Sequence, residues 1–143
     1  MPIAYLDVHE GIESEKKNVL VKGSYDAMQE VYPVGDKRVY VREWPFNSVS
    51  QDGQVGWKRP RLVFQFLGPR LAIEAKRKMM KDITAAVANA YKSVTAMPAQ
   101  VSGASGNPPD FVVFLQEYSD DQVAINGNLI SDRGASEKNR RFW

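Results

Sequence analysis

Cysteine is missing from the chain altogether, and histidine occurs once, as His9. Without thiols there is no disulfide framework, no thiolate zinc site and no cysteine nucleophile. A single imidazole also argues against a His-rich metal site or a Ser-His-Asp triad. Long apolar runs are absent too: nothing approaches the roughly 18 consecutive apolar residues of a membrane span. The N-terminal stretch carries acidic side chains where a secretion signal would carry an apolar region. These absences lead to the expectation of a cytoplasmic protein that does not engage a membrane. Nor is there an excess of one charge, since 19 basic residues stand against 17 acidic ones for a formal net charge of +2. A nucleic-acid footprint needs a concentrated basic face, so no nucleic-acid partner is expected. The densest basic cluster, Lys76-Arg77-Lys78 with Lys81, is broken by Met79 and Met80 and reads as the solvated face of a helix.

What the chain does have is a pattern that occurs twice. With 143 residues and 43% hydrophobic content it is long enough for one domain with a genuine core. Ile3 to His9 alternates loosely and reads as a strand. Glu10-Gly11 is a turn, and Ser14 is a candidate N-cap for a helix that places Val19, Leu20, Gly23, Ala27, Met28 and Val31 on one side. Pro33 and Gly35 should stop that helix. Arg38 to Trp44, RVYVREW, is a second strand rich in β-branched and aromatic residues.

The same order then repeats. RLVFQFL at 61–67 is a strand, Gly68-Pro69 the turn after it, and a helix is predicted from about Leu71 to Ser93. Ile73, Met80, Ile83, Val87 and Tyr91 share a face of that helix through their spacing. FVVFLQE at 111–117 is the fourth strand. The segments EGIESEKK and GPRLAIEAKRK match across an offset of roughly sixty residues, so the chain reads as two β-α-β halves, about 2–45 and 61–118, in one domain over 1–143. A β-α-β crossover makes its two strands parallel with the helix over one sheet face. The expected fold is therefore α+β, an α/β sandwich in which tandem β-α-β units form a four-stranded sheet with two helices on one face. The bare opposite face needs cover from other subunits, which predicts an oligomer. Outside the repeat lie a linker loop at 46–60 with Phe46 and Trp57 near its ends, a Pro/Gly/Ser-rich connector at 95–110, and a polar tail at 126–143 ending in Phe142-Trp143.

The proline directly behind Met1 poses the functional question. Its free amine, once exposed, would be secondary and immobile. An α-amine titrates near 7.7 to 8.0, and burial lowers that value because the ammonium loses solvation. Such an amine can take a proton from carbon beside a carbonyl and return it elsewhere. The plainer alternative is that proline is simply tolerated at the first residue of a strand.

MPIAYLDVHEG, the duplicated β-α-β plan, RVYVREWP and RLVFQFLGPR together resemble the tautomerase superfamily over about residues 2 to 128. The opening is similar to 4-oxalocrotonate tautomerase, and the double unit to the malonate semialdehyde decarboxylase and cis-3-chloroacrylic acid dehalogenase groups. The resemblance implies a homotrimer with a barrel-like assembly, no cofactor, and Pro2 unblocked by loss of Met1 to act as acid, base or nucleophile on a small oxo-acid substrate. It implies arginines that hold the substrate carboxylate through paired hydrogen bonds. Arg70 falls where the decarboxylase group carries a pair of arginines, and Arg38 matches an arginine opening strand two. Lys37, Arg42, Arg59 and Arg61 are comparable cations, and a surface ion pair is the ordinary use of each. Asp36 lies within one register step of a carboxylate that works with the proline. Tyr40, on the strand face of Arg38 and Arg42, could donate to a carbonyl oxygen or simply pack.

Departures from the pattern narrow the chemistry. Ile12 replaces the arginine that follows the first Glu-Gly in short tautomerases. Gln29, Phe114 and Ile125 stand where the dehalogenase pattern has histidine, tyrosine and glutamate, which disfavours dehalogenation. QVAINGN replaces an aromatic C-terminal hairpin. The expected activity is tautomerisation of a 2-oxo or 3-oxo acid, with hydration or lyase-type decarboxylation next. The alternative is a non-catalytic oligomeric binding or structural protein that keeps Met1 and so holds Pro2 as an amide. His9, at the far end of strand one, is expected to be structural.

Overall fold

A computed structural model describes residues 1–32, 35–92 and 109–134. Four strands form one mixed sheet in the order β2-β1-β5-β6. They are β1 (Ile3–His9), β2 (Arg38–Trp44), β5 (Arg61–Pro69) and β6 (Asp110–Tyr118). β1 and β2 are parallel, β5 and β6 are parallel, and the two pairs meet antiparallel between β1 and β5. The helices are α1 (Ser14–Val31) and α2 (Ile73–Ala90). Two short hairpins, β3 (Ser50–Gln51) with β4 (Gln54–Val55) and β7 (Ala124–Ile125) with β8 (Asn128–Leu129), sit outside the main sheet.

Period-two alternation sends Ala4, Leu6 and Val8 of β1 and Leu62, Phe64 and Phe66 of β5 to the helix side, all at most 1% exposed. There they meet Leu20, Ala27 and Met28 of α1 and Met79, Ile83 and Val87 of α2 in one core. The two helices also touch each other. A Cβ on Gly23 would lie 2.4 Å from the Cβ of Ala86, so only glycine permits this approach. The opposite sheet face carries Tyr40, Trp44 and Phe114, each more than two-fifths exposed.

Several local expectations are corrected. Ser14 is the first helical residue rather than the cap; Glu13 occupies the N-cap and makes no side-chain capping bond. α2 is shorter than 71–93, because Glu117 Oε1 takes the Leu71 N–H at 3.1 Å and Ala72 is extended. Ile73, counted on the buried face, is 57% exposed in the first turn, while Met79 is buried in its place. Gly68-Pro69 is not a turn but the end of β5. The missing Cβ of Gly68 makes room for the Tyr32 ring, which would lie 2.5 Å from such an atom. Pro69 lies past the last β1–β5 pair, Ile3 with Leu67, where no ladder bond to β1 is needed. The 46–60 segment contains the β3–β4 hairpin, turned by Asp52 and Gly53 at positive φ, and Phe46 packs edge-on against Trp57 at 4.9 Å. The helix stop at Pro33, most of the 95–110 connector and the Phe142-Trp143 pair lie outside the described residues.

Candidate active site

Topology decides which residues meet. Since β1 and β2 run together and β5 and β6 run against them, the amino ends of the first pair share a sheet edge with the carboxyl ends of the second. That edge gathers Pro2, Asp36, Lys37 and Arg38 with Gly68, Pro69, Arg70, Glu117 and Tyr118. Tyr32 joins from the end of α1, its hydroxyl donating to the Pro69 carbonyl at 3.4 Å.

Pro2 is buried, and its nitrogen lies in the peptide bond to Met1. The Arg38 backbone N–H donates to the Pro2 carbonyl at 3.4 Å, tying β2 to the start of β1. The Tyr118 hydroxyl donates to the Met1 carbonyl at 3.0 Å and accepts from the Met1 ammonium at 2.9 Å. Burial lowers the pKa of this amine below its ordinary value of 8.0; Asp120 and Asp36 oppose the shift, while Arg133 and Lys37 add to it. Tyr118 is pushed up to about 12, chiefly by burial and then by Tyr32 and Asp120. Tyr32 is likewise pushed up to about 12 by burial and by Glu117. Both phenols therefore keep their protons at neutral pH and act as donors.

Around this centre the charges differ in how committed they are. Asp36 Oδ2 accepts from Arg38 Nε at 2.9 Å, and that bond, with Tyr40 next, raises the Arg38 pKa. Glu117 is held at low pKa by Lys76 at 2.6 Å, by the Leu71 N–H and, more weakly, by the charge of Arg70. Arg70 is exposed and, among the described residues, has no ion-pair partner within salt-bridge distance. It follows β5 at the sheet edge where β1 begins, and its charge acts on Glu117; a guanidinium is suited to a carboxylate.

The rival cations separate cleanly. Arg42 grips Asp7 through two hydrogen bonds of 2.6 and 2.9 Å, and Arg59 and Arg61 sit at the opposite end of β5 from Arg70. Lys37 acts on the Met1 amine. Tyr40 stacks on Tyr5 with ring centres 5.5 Å apart. His9 lies buried at the distal end of β1, its Nδ1 2.9 Å from the Glu10 carbonyl. Ile125 contributes its backbone carbonyl to Arg133 at 2.9 Å, from a hairpin whose Asn126-Gly127 turn has positive φ at both residues.

Sequence reasoning missed Tyr118, Tyr32, Asp120 and Arg133. Tyr118 lies one residue beyond the predicted end of strand four, and the register that sets it beside Pro69 is visible only once β5 and β6 are paired. Asp120 and Arg133 carry no sequence signal, because they reach the site through the fold of the 119–134 segment. Among the described residues no three His, Cys, Asp or Glu side chains are grouped to hold a metal ion, and no helix is long and apolar enough to cross a membrane.

No family model and no curated protein matches the chain. Solved structures do. Pt0534 inactivated by 2-oxo-3-pentynoate superposes with a TM-score of 0.68 at 18% identity, covering 92% of this chain and 99% of that one. A fused 4-OT symmetric trimer gives 0.64 at 18% identity over 92% and 99%. Malonate semialdehyde decarboxylase gives 0.60 at 18% identity over 95% of both chains. The chain has the fold of these structures.

Proposed function

We propose that the chain is a tautomerase-superfamily enzyme that uses Pro2, freed by loss of Met1, as acid and base on a small 2-oxo or 3-oxo carboxylic acid. The fold shared with fused 4-OT and malonate semialdehyde decarboxylase supports the family. The observation that carries the chemistry is the environment of the amino terminus: Pro2 is buried, burial depresses the Met1 amine one residue ahead of it, and the Tyr118 phenol that keeps its proton lies 3.0 Å from the Met1 carbonyl.

The reaction needs few groups. The Pro2 lone pair takes the proton from the carbon beside the carbonyl, the C–H electrons form the C=C bond of an enolate, and negative charge collects on the carbonyl oxygen. Tyr118 O–H donates to that oxygen as its charge develops. Return of the proton to oxygen completes ketone to enol, and the reverse order completes enol to ketone. Arg70 holds the substrate carboxylate, and Arg38, already paired with Asp36, supports it from β2. Hydration or decarboxylation of a three-carbon oxo acid needs a group to direct water, and Asp36 takes that role. The exposed apolar face and the trimeric fused 4-OT neighbours support a homotrimer as the assembly of this reading.

A second reading has one observation in its favour. Met1 is well accommodated, with both its ammonium and its carbonyl bonded to Tyr118. A chain that kept Met1 would be a binding or structural protein on the same fold. Intact mass decides between the two, and enolisation of phenylpyruvate by mass-verified protein tests the first. A chain that has lost Met1 yet fails to enolise any 2-oxo acid would overturn the enzyme reading.

A further inference from the structure

The far end of β1 has a cavity of about 610 Å³ bordered by Trp44, Trp57 and His9, but Trp44, Val63 and Gln65 of its wall belong to the helix-free sheet face that other subunits cover in the proposed assembly. The group that calls for explanation lies at the Pro2 end, on the helix side. Lys37 is only 9% exposed, and its Nζ donates to the Gly35 carbonyl at 3.2 Å. Burying an ammonium is costly, because water no longer solvates the charge. The sheet itself needs no cation there: Val39 and Val41, the next residues on that face of β2, pack against the core as apolar side chains.

The register sets Lys37 beside the proline. β1 and β2 pair in parallel from Ile3 with Arg38, and the Arg38 N–H reaches back to the Pro2 carbonyl. One step earlier along the same ladder Pro2 and Lys37 stand opposite each other, on the face shared by Ala4 and its partner Val39. Loss of Met1 moves the amine of the chain from one residue outside that position onto it. Ionisable groups approach from every neighbouring element: Asp36 and Lys37 lead into β2, Tyr118 ends β6 and Asp120 follows it, Arg133 follows the β7–β8 hairpin, Tyr32 caps α1, and Glu117 and Arg70 complete the edge. After burial itself, the charges that act on the Met1 amine are those of Asp120, Arg133, Asp36 and Lys37, alternating in sign. Of these four only Lys37 is buried, so its charge is the least screened by water and salt.

We infer that Lys37 is a positioning residue for the chemistry at Pro2: its ammonium, fixed by the Gly35 carbonyl next to the start of β1, keeps the freed proline nitrogen in its neutral, proton-accepting form. The inference rests on the reading of Pro2 as the acid-base group, and it selects among the reactions of that reading. A neutral amine takes a proton from carbon, whereas an ammonium can only give one. The ammonium formed when Pro2 takes the proton stands against Lys37 and so returns it readily. Tautomerisation begun by proton abstraction is therefore the favoured reaction, on an oxo acid that carries hydrogen on the carbon beside its carbonyl.

The test uses protein whose intact mass shows Pro2 as the first residue, labelled with nitrogen-15 proline so that magnetic resonance reads the titration of that one amine directly. Lys37→Gln keeps a donor for the Gly35 carbonyl and removes the charge, Lys37→Met fills the buried volume without charge, and Lys37→Arg keeps the charge. A charge at close range moves a pKa by about one unit or more, so Lys37→Gln and Lys37→Met should each raise the amine pKa by about one unit, and Lys37→Arg should restore the parent value. The acid limb of kcat/KM for phenylpyruvate enolisation should move with it, a loss of about tenfold below the parent pKa that fades as the pH rises. A lower denaturant midpoint with the amine titration left where it was would make Lys37 merely structural and overturn the inference. A shifted titration in protein that enolises no 2-oxo acid would uphold Lys37 and overturn the enzyme reading instead.

Discussion

The two ends of β1 are built from the same strand and do opposite things with charge. At the Pro2 end the ionisable groups are bound into short local links, Asp36 to Arg38, Glu117 to Lys76 and Tyr118 to Met1, while Arg70 forms no ion pair among the described residues. At the His9 end one carboxylate is over-satisfied, Asp7 by Arg42 and Trp44, while Asp52, Arg59, Arg61 and Asp110 around the cavity form no ion pair among the described residues. The first arrangement sets Arg70 at the same sheet edge as the partly desolvated amino terminus, the grouping on which the proposed reaction relies. The second leaves both signs open around aromatic rings. Strand direction is the cause. β5 enters the sheet at the His9 end with Arg61 and leaves it at the Pro2 end with Pro69, so one strand carries a different set of groups to each end.

The largest effect that separates the ends should come from Pro2→Ala. General acid-base catalysis contributes about 10² to 10⁴ in rate, so phenylpyruvate enolisation should fall at least about hundredfold, or about 2.7 kcal/mol. An unchanged enolisation rate would remove the proline from the mechanism.

Two substitutions of intermediate size attack each end structurally. Gly68→Ala sets a methyl against the Tyr32 ring at the Pro2 end, and overpacking of this kind costs about 1–3 kcal/mol. Asp7→Asn keeps the shape at the His9 end but removes the charge that Arg42 and Trp44 share, and loss of charge-assisted bonds costs about 1–3 kcal/mol. Denaturant midpoints should drop for both. Only Gly68→Ala should also slow enolisation, and a slowing by Asp7→Asn would mean that the ends are coupled.

Arg70→Ala should raise the KM of a carboxylate substrate about tenfold, or about 1.4 kcal/mol, with a smaller change in kcat. Equal loss on a neutral ketone would deny it the carboxylate. The smallest effect is a pH dependence. The Glu117 pKa is lowered in the folded chain, first by Lys76, so its contribution to stability is present above its unfolded value of 4.5 and is lost as the pH falls through the lower folded value. In Glu117→Gln that component of the acid-side loss in melting temperature should vanish, while a slope identical to the parent chain would leave the Lys76 link without energetic weight.

The strands were legible because their signal is local. RVYVREW and IAYLDVH carry β-branched and aromatic residues between clear turn signals, and their observed bounds coincide with those expected. The ends of α2 were not, since Leu71 is drawn out of the helix by Glu117, a residue 46 positions away. Pro2, Asp36, Arg38 and Arg70 could be singled out from sequence, and the fold brings all four to one sheet edge. Tyr118 could not, because nothing within FVVFLQEY marks it; its partner is the first residue of the chain.

By itself the sequence determined the repeated β-α-β order, the inward faces of the strands and the absence of thiol chemistry, for these depend on period, composition and near neighbours. Only the tertiary structure decided which groups share the sheet edge with Pro2, which phenol bonds Met1 and that a cavity opens at the other end. Those depend on the antiparallel meeting of the two halves, a long-range pairing that turns strand direction into position and that no local pattern encodes.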